Sequence, residues 1–451
     1  MGLDASIDKM KDEGVHDAAI AAFTHAYEAL EAGETGMLAE SDIEPVTDLP
    51  SAADLPEGDP ADLAKAVVIK LNGGLGTSMG MTKAKSLVEV KDGLTFLDLT
   101  ARQILALRER HDVDIPLVLM DSFRTRDDSL ELLEAYPDLQ GGLPLDFVQN
   151  KEPKLDADSL EPVSWSDDPS MEWCPPGHGD IYPALVASGL LDDLLEAGRE
   201  IAFVSNSDNL GAVLDPRILS WFATEGVPFL MEVSRRGEND RKGGHLARRI
   251  EDGQLVLRES AQTAEEDEDA FQDISRHPFF NTNSLWIHLP TLAEALEEGG
   301  GALKLPLIVN RKHVDPSDSS SPEVIQLETA MGAAVGVFEG ARGIEVDRQR
   351  FAPVKTTSDL LVLRSDCYEV TDDVRVVLAG GRETQPGIDL DPDHYKLLDD
   401  FEARFPEGPP SLIEADRLKV RGEVTFGAGV TIRGSVELEG PAEIESGTEL
   451  S

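Results

Sequence analysis

The sequence predicts an α/β protein: a mixed, mainly parallel sheet followed by a small C-terminal left-handed β-helix. Two patterns predict it. From Lys65 to about Asp366, short apolar runs ("AVVIKLN", "IPLVLMDS", "EIAFVSNSD", "VPFLMEV", "NSLWIHL") alternate with helical patterns. Runs this apolar are strands buried on both faces, as happens when helices cover both sides of a parallel sheet. The last segment has a different period. Leu418, Val424, Val430, Val436, Ala442 and Thr448 recur every six residues, and Val420, Phe426, Ile432, Leu438, Ile444 and Leu450 repeat that interval two positions later. Gly422, Gly434 and Gly440 share a third phase, with Ala428 in its one gap. A strict six-residue period favours a hexapeptide β-helix over a pair of antiparallel hairpins, whose turns would be independent.

Ahead of the sheet region, Val15, Ile20, Phe23, Tyr27 and Leu30 fall near helical spacing, so an amphipathic helix is expected over about residues 8 to 32. The Pro-, Asp- and Glu-rich stretch from about Glu40 to Asp62 reads as a mobile linker. The expected division is 1–62 (N-terminal helix and linker), 63–366 (sheet domain), 367–414 (connecting segment) and 415–451 (β-helix).

Composition excludes several classes of partner. The chain has 451 residues, 41% of them apolar, and a formal charge of −47. Nucleic acid and anionic membranes would be repelled by most of its surface. No window approaches a membrane span, and the first residues show no basic stretch followed by an apolar core. "MGLDAS" fits the loose myristoylation pattern, but Asp4 and Asp8 stand where a polybasic second signal would be needed. With only Cys174 and Cys367, no disulfide framework is available, and a cytoplasmic setting is expected.

Against that acidity, "LNGGLGTSMGMTKAKS" (71–86) concentrates glycines and two lysines after the first apolar run. A strand, glycine turn and helix present backbone N–H groups to an anion, and Lys83 and Lys85 add charge. The spacing matches neither G-x-G-x-x-G nor G-x-x-x-x-G-K-[ST]. Taken alone, the loop is equally well a tight turn with solvated lysines.

Other stretches shift the balance toward a phosphate site. "CPPGHGDIYPAL" surrounds His178 with Pro176, Gly177 and Gly179, a turn that a ligand can approach closely. "AFVSNSDNLG" puts Asn206, Asp208 and Asn209 at the carboxyl end of a buried strand, where open α/β sheets bind ligands. Asp208 there suits Mg²⁺ or, equally, caps the following helix. "FFNTNSLWIHL" offers Asn281 and Asn283 to hydroxyls or a base edge, and "FAPVKTTSDLL" offers Lys355 among apolar and hydroxyl neighbours.

Together these words resemble the eukaryotic-type UTP-glucose-1-phosphate uridylyltransferases, or UDP-glucose pyrophosphorylases. "LNGGLGTSMG", "LTFLDLT", "PLVLMDSF", "PPGHGDIY", "FVSNSDNLGA", "FNTNSLWI", "VIQLETAMGAA", "FAPVKTTSDLL" and "LKVRGEVTFGAGV" carry the likeness in consistent order. The resemblance implies a Rossmann-like nucleotidyltransferase domain, Mg²⁺ as cofactor, and UTP and glucose 1-phosphate as substrates. It implies Leu71, Asn72, Gly73 and Gly74 against the nucleotide, Lys85 on the triphosphate, Gln149 reading uracil with Gly177 beside it, and Asn206 and Asp208 at the nucleotide, Asp208 as the metal ligand. His178, Glu232, Lys242 and Asn283 are implied on the sugar phosphate side, with Lys355 bridging the phosphates of both substrates. The chain departs from the family pattern at "MTKAKS", where Ala84 replaces a rigid Gly-Pro and Lys83 adds charge. Its repeat ends at Leu450 and leaves room for about two triangular coils, so a homo-oligomer through this end is an open expectation. A pyrophosphorylase for N-acetylglucosamine 1-phosphate or galactose 1-phosphate is the alternative on the same fold. A non-catalytic nucleotide-sugar sensor is disfavoured by the joint presence of Lys85, Asp208 and Lys355.

Overall fold

The computed structural model describes residues 2–237, 240–316, 318–382 and 384–451. All five apolar runs become strands of one ten-stranded sheet, in the order Ile43–Pro45, His245–Arg249, Phe279–His288, Ile201–Asn206, Ala66–Asn72, Leu117–Asp121, Asp146–Val148. Phe229–Arg235, Arg342–Glu345 and Leu255–Arg258 attach off this path. The sheet is mixed and mainly parallel: Ile43–Pro45, Leu255–Arg258 and Phe279–His288 run against the rest. Both faces are covered, as the uniform apolarity requires. Val67 and Ile69 pack with Tyr182 and Leu185 on one side, while Ala66 and Val68 pack with Leu97, Ile104 and Phe222 on the other.

The N-terminal expectation is corrected in two respects. The single helix over residues 8 to 32 is a pair, Gly2–Asp12 and Asp17–Glu31. The break falls where Gly14 takes a positive φ of 73° and His16 Nδ1 caps the second helix by accepting from the Ala18 N–H at 3.1 Å. Met10, Ile20, Phe23 and Tyr27 bury against a smaller sheet of Leu155–Asp156, Leu307–His313 and Glu323–Thr329. The stretch read as a mobile linker is instead built into the main sheet. Ile43–Pro45 pairs with His245–Arg249, Ser51 bridges Glu345, and Ile43, Val46 and Ala52 are buried. Its apolar residues are too widely spaced for the acidic composition to reveal them.

After residue 387 the chain stacks parallel strands. From Arg417 onward the pairing offset settles at 18 residues: Leu418 pairs with Val436, Val424 with Ala442 and Thr431 with Glu449, and the Lys419–Glu437 contact spans the same interval. Eighteen is three six-residue intervals, and parallel pairing excludes antiparallel hairpins. Leu418, Val420, Val424, Phe426, Val430 and Ile432 are buried, in a core shared with Val90, Phe96 and Leu99 of the sheet domain. No helix among the described residues is long and apolar enough to cross a membrane.

Candidate nucleotide and sugar-phosphate site

Four parallel strands end side by side at Asn72, Asp121, Val148 and Asn206. The segments leaving them, Gly73–Gly74, Gln149 and Ser207–Asp208, therefore share one edge of the sheet, the position at which open α/β sheets bind ligands. A Cβ at Gly73 would lie 2.7 Å from Gln149 Oε1, so glycine lets the loop lie against that glutamine without displacing its side chain. At Gly74 a Cβ would meet open space, which leaves that backbone free for a ligand to approach. Hydrogen bonds close the loop on itself: the Lys85 N–H donates to Gly74 O at 3.1 Å, and Leu75 bridges the buried Ala84. Ala84 thus anchors the loop by burial.

This closure aims Lys85 across the cleft, where its Nζ lies 2.6 Å from Asp208 Oδ2. Asp208 is held in turn through Asn209. Asn209 Oδ1 accepts from the Ala352 N–H at 3.0 Å, and Asn209 Nδ2 donates to Arg350 O at 3.1 Å. The clamp fixes the segment that runs into Lys355, an exposed residue just ahead of the helix Thr357–Arg364. A capping box between Thr356 and Asp359 starts that helix, and the Lys355 N–H also donates to Asp359 Oδ2 at 2.9 Å. The structure thus joins Leu71, Gly73, Gly74, Lys85, Gln149, Asn206, Asp208 and, through the clamp, Lys355.

Gly177 has φ 80°, and a Cβ there would strike Thr329 O at 2.6 Å. That turn sets His178, whose Nδ1 accepts from the Met331 N–H at 3.0 Å. Desolvation pulls the ring down to about 4, so at neutral pH it is uncharged with its proton on Nε2, a donor pointing away from Met331. Next to it, burial pushes Asp180 up to about 7 although Asn150 donates to both of its oxygens.

Three expected positions differ. Asn72 is buried, and its Nδ2 donates to Asp121 Oδ1 at 2.6 Å and Ser129 Oγ at 2.8 Å. Its amide nitrogen therefore braces the loop from below. Glu232 is fully buried, with Arg350 Nη2 at 2.6 Å, Arg350 Nε at 2.8 Å and Trp286 Nε1 at 2.9 Å on its carboxylate. Both oxygens are committed, which removes Glu232 from the sugar hydroxyls. Lys242 is exposed on the turn before His245–Arg249, and no contact links it to the residues above. Asn283 does sit in a special place: it has φ 56° in a bulge of Phe279–His288, and its Oδ1 accepts from Asn281 Nδ2 at 2.8 Å.

Glu259 is the residue that sequence reasoning missed. A Cβ at Gly244 would lie 2.3 Å from its Oε2. Burial pushes its carboxyl up, against the opposing pull of a bond from Asn281 and the charge of Lys355. Glu259 therefore stands joined to Asn281 and within electrostatic range of Lys355. Only the neighbouring "RKGGHL" glycines, which permit a close approach, could have hinted at it.

Asp121, beneath the loop, is fully buried and pushed up to about 7, chiefly by burial. Its folded value exceeds the ordinary 3.8, so the folded state holds this proton more tightly. The stability it contributes is complete below the unfolded value and is lost as pH rises through about 7. Asp121→Asn keeps an acceptor for Asn72, and in urea melts across pH it should gain on wild type as pH rises from about 4 to about 8. A pH-independent difference would show that Asp121 does not titrate there.

Among the described residues no group of three or more His, Cys, Asp or Glu side chains could hold a metal. Asp208 supplies one hard oxygen beside a cleft of backbone N–H groups. That set fits a Mg²⁺ taking its remaining ligands from phosphate and water, and does not fit a metal caged by protein.

A family model described as UTP–glucose-1-phosphate uridylyltransferase matches residues 20–433. The chain belongs to this family. The potato (Solanum tuberosum) UTP–glucose-1-phosphate uridylyltransferase is 43% identical over 385 residues, covering 84% of this chain and 78% of that protein. The Saccharomyces cerevisiae relative is 42% identical, covering 83% and 74%. Among solved structures, a mutant UDP-glucose pyrophosphorylase from Leishmania major in complex with UDP-glucose superposes with a TM-score of 0.94 at 48% identity, covering 100% of this chain and 98% of that chain. Membership in the uridylyltransferase family makes this chain a nucleotidyltransferase, and its glycine loop, Asp208 turn and Lys355 segment lie inside the matched region.

Proposed function

We propose that this chain transfers a uridylyl group from UTP to glucose 1-phosphate, forming UDP-glucose and pyrophosphate. The observation that carries the reading is the convergence of Gly73–Gly74, Lys85, Gln149 and Asp208 on one sheet edge, with Lys355 tied to it through Asn209. A phosphate oxygen of glucose 1-phosphate attacks the α-phosphorus of UTP in line. The bond from that phosphorus to the oxygen bridging to the β-phosphate breaks, and pyrophosphate leaves with the electron pair. The nucleophile is already anionic, so no enzyme nucleophile or general base is required. The chain's work is positioning and charge neutralisation.

Gln149 reads the uracil edge, Gly177 offers its backbone beside it, and the loop amides and Lys85 hold the triphosphate. Lys355 neutralises charge between the two phosphates, and His178 donates its Nε2 proton to the sugar phosphate. Mg²⁺ at Asp208 would supply further charge neutralisation on the phosphates. Asn283 and Glu259 take the glucose hydroxyls. Glu259→Gln should raise KM for glucose 1-phosphate about tenfold or more, the scale of one charge-assisted hydrogen bond, and leave KM for UTP nearly unchanged. An equal rise in both would assign Glu259 a structural part only.

Purified protein given UTP, glucose 1-phosphate and Mg²⁺ should release pyrophosphate; release no faster than in a metal-chelated control would refute the reading. In the same assay, glucose 1-phosphate should exceed N-acetylglucosamine 1-phosphate and galactose 1-phosphate in kcat/KM. The 18-residue offset from Arg417 onward supports coils of three six-residue faces at residues 415–451, the β-helix that we take to be left-handed. Its last coil leaves Ile444 and Leu450 half-buried, which favours a homo-oligomer through this end. Light scattering should then show Leu450→Asp with a lower mass than wild type, and equal masses would sink that contact. Two buried free cysteines agree with a reducing, cytoplasmic setting.

A further inference from the structure

Away from the site lies a cavity of about 640 Å³, between the strand Ala66–Asn72, the helix Phe96–His111, the stretch 212–217 and the hairpin that carries Asp373 and Arg375. It contains none of the residues given a catalytic or binding part above. Its lining holds five cationic side chains against three carboxylates, in a chain whose net charge is −47. The ion pairs show where positive charge is left over. Arg217 is paired with Asp215 at 2.8 Å and Arg350 with Glu232. At the mouth, Arg110 and Arg375 share the single carboxylate of Asp373, at 3.0 and 2.8 Å. At the bottom, Lys70 is 3% exposed and donates to two neutral oxygens, Ser205 Oγ at 2.8 Å and Ala212 O at 2.7 Å. No described carboxylate lies within ion-pair distance of it. Glu57, exposed, is the remaining lining carboxylate; one cation with no ion-pair partner among the described residues thus sits deep, and two arginines share one carboxylate at the entrance, with Val68, Ile104 and Leu214 between them.

We propose that this cavity is a second, regulatory site for a small organic polyanion, one anionic group meeting Lys70 and another the Arg110–Arg375 pair. The apolar wall takes the carbon skeleton, and volume and lining suit a small metabolite. Burial, with Arg350 nearby, holds the Lys70 ammonium down to about 7 against the more distant pull of Glu232 and Asp208, and an anion bound beside it would favour its charged form. Three walls run on into the catalytic elements. Lys70 lies on the strand that ends in the glycine loop. Ala212 and Val213, whose carbonyls accept from Lys70 and Arg350, follow the Asp208 turn. Arg350 opens the segment that Asn209 clamps ahead of Lys355. An anion drawing Lys70 or Arg350 from those carbonyls would therefore shift nucleotide affinity, and by linkage nucleotide would shift its own.

The test is calorimetry on protein saturated with UDP-glucose and Mg²⁺, so that the first site is filled, using citrate, inorganic phosphate and fructose 1,6-bisphosphate as separate probes. At least one of the two organic polyanions should bind, more tightly than phosphate. The surface double variant Arg110→Glu/Arg375→Glu should weaken it at least tenfold while releasing pyrophosphate at the wild-type rate in its absence. Lys70→Met should weaken it similarly, but the surface variant decides the matter even if Lys70→Met fails to fold. Should neither organic polyanion bind, or should the surface variant bind as tightly as wild type, the proposal is overturned. Because binding is read by heat, that outcome is separate from any failure of the uridylyl-transfer reading.

Discussion

Lys85→Ala should lower kcat by about 10²- to 10³-fold, the usual loss when one preorganised group facing transition-state charge is removed. The loop is closed by backbone contacts, Lys85 N–H to Gly74 O and Leu75 to Ala84, which survive truncation of the side chain. What disappears is a cation 2.6 Å from Asp208, at the place proposed for the triphosphate. Circular dichroism and melting should stay close to wild type while turnover collapses. Lys355→Ala should behave alike, since its positioning bonds come from the backbone and from Asp359. The two losses combined should be less than additive, because both cations act on one phosphate cluster. A near-wild-type rate in either variant would take that residue out of the mechanism.

Arg350→Met is expected to be the most destabilising single change, at about 3–5 kcal/mol, because it leaves the Glu232 carboxylate buried without its partner. Arg350 also donates to Val213 O at 2.9 Å, and its own carbonyl receives Asn209. Loss of the guanidinium therefore loosens the clamp between Asp208 and Lys355, and kcat should fall along with stability. Chemical denaturation of Arg350→Met beside Glu232→Gln/Arg350→Met separates the effects: removing both charges should restore much of the stability. Equal destabilisation by the single and double variants would show that the ion pair is not the cause.

The sheet was legible because burial on both faces writes a strong local signal, and each apolar run became a strand. The final repeat was legible for the same reason, since a six-residue phase survives in one dimension. The glycine loop and Asp208 stood out by residue type at strand ends and His178 by its Pro-Gly turn, whereas Gln149 entered only through the family resemblance. Glu232 and Glu259 show where this fails. Glu232, in "FLMEVS", was placed at the sugar by the resemblance alone, but the arginine that neutralises it is 118 positions away. Glu259, in "RESAQ", reads as an exposed turn, and only folding brings it against Gly244 and Asn281. The segment 40–62 failed for another reason: its burial rests on a few isolated contacts that an acidic, proline-rich composition conceals.

The central claim is that nucleotide and sugar phosphate meet over the residue 71–85 turn. A crystal of this protein grown with UDP-glucose tests it most directly. The account predicts uracil against Gln149 and Gly73, the diphosphate over Gly74 within reach of Lys85, and glucose hydroxyls on Asn283 and Glu259. A diphosphate bound elsewhere, with Lys85 still on Asp208 and no ligand over the turn, would contradict it.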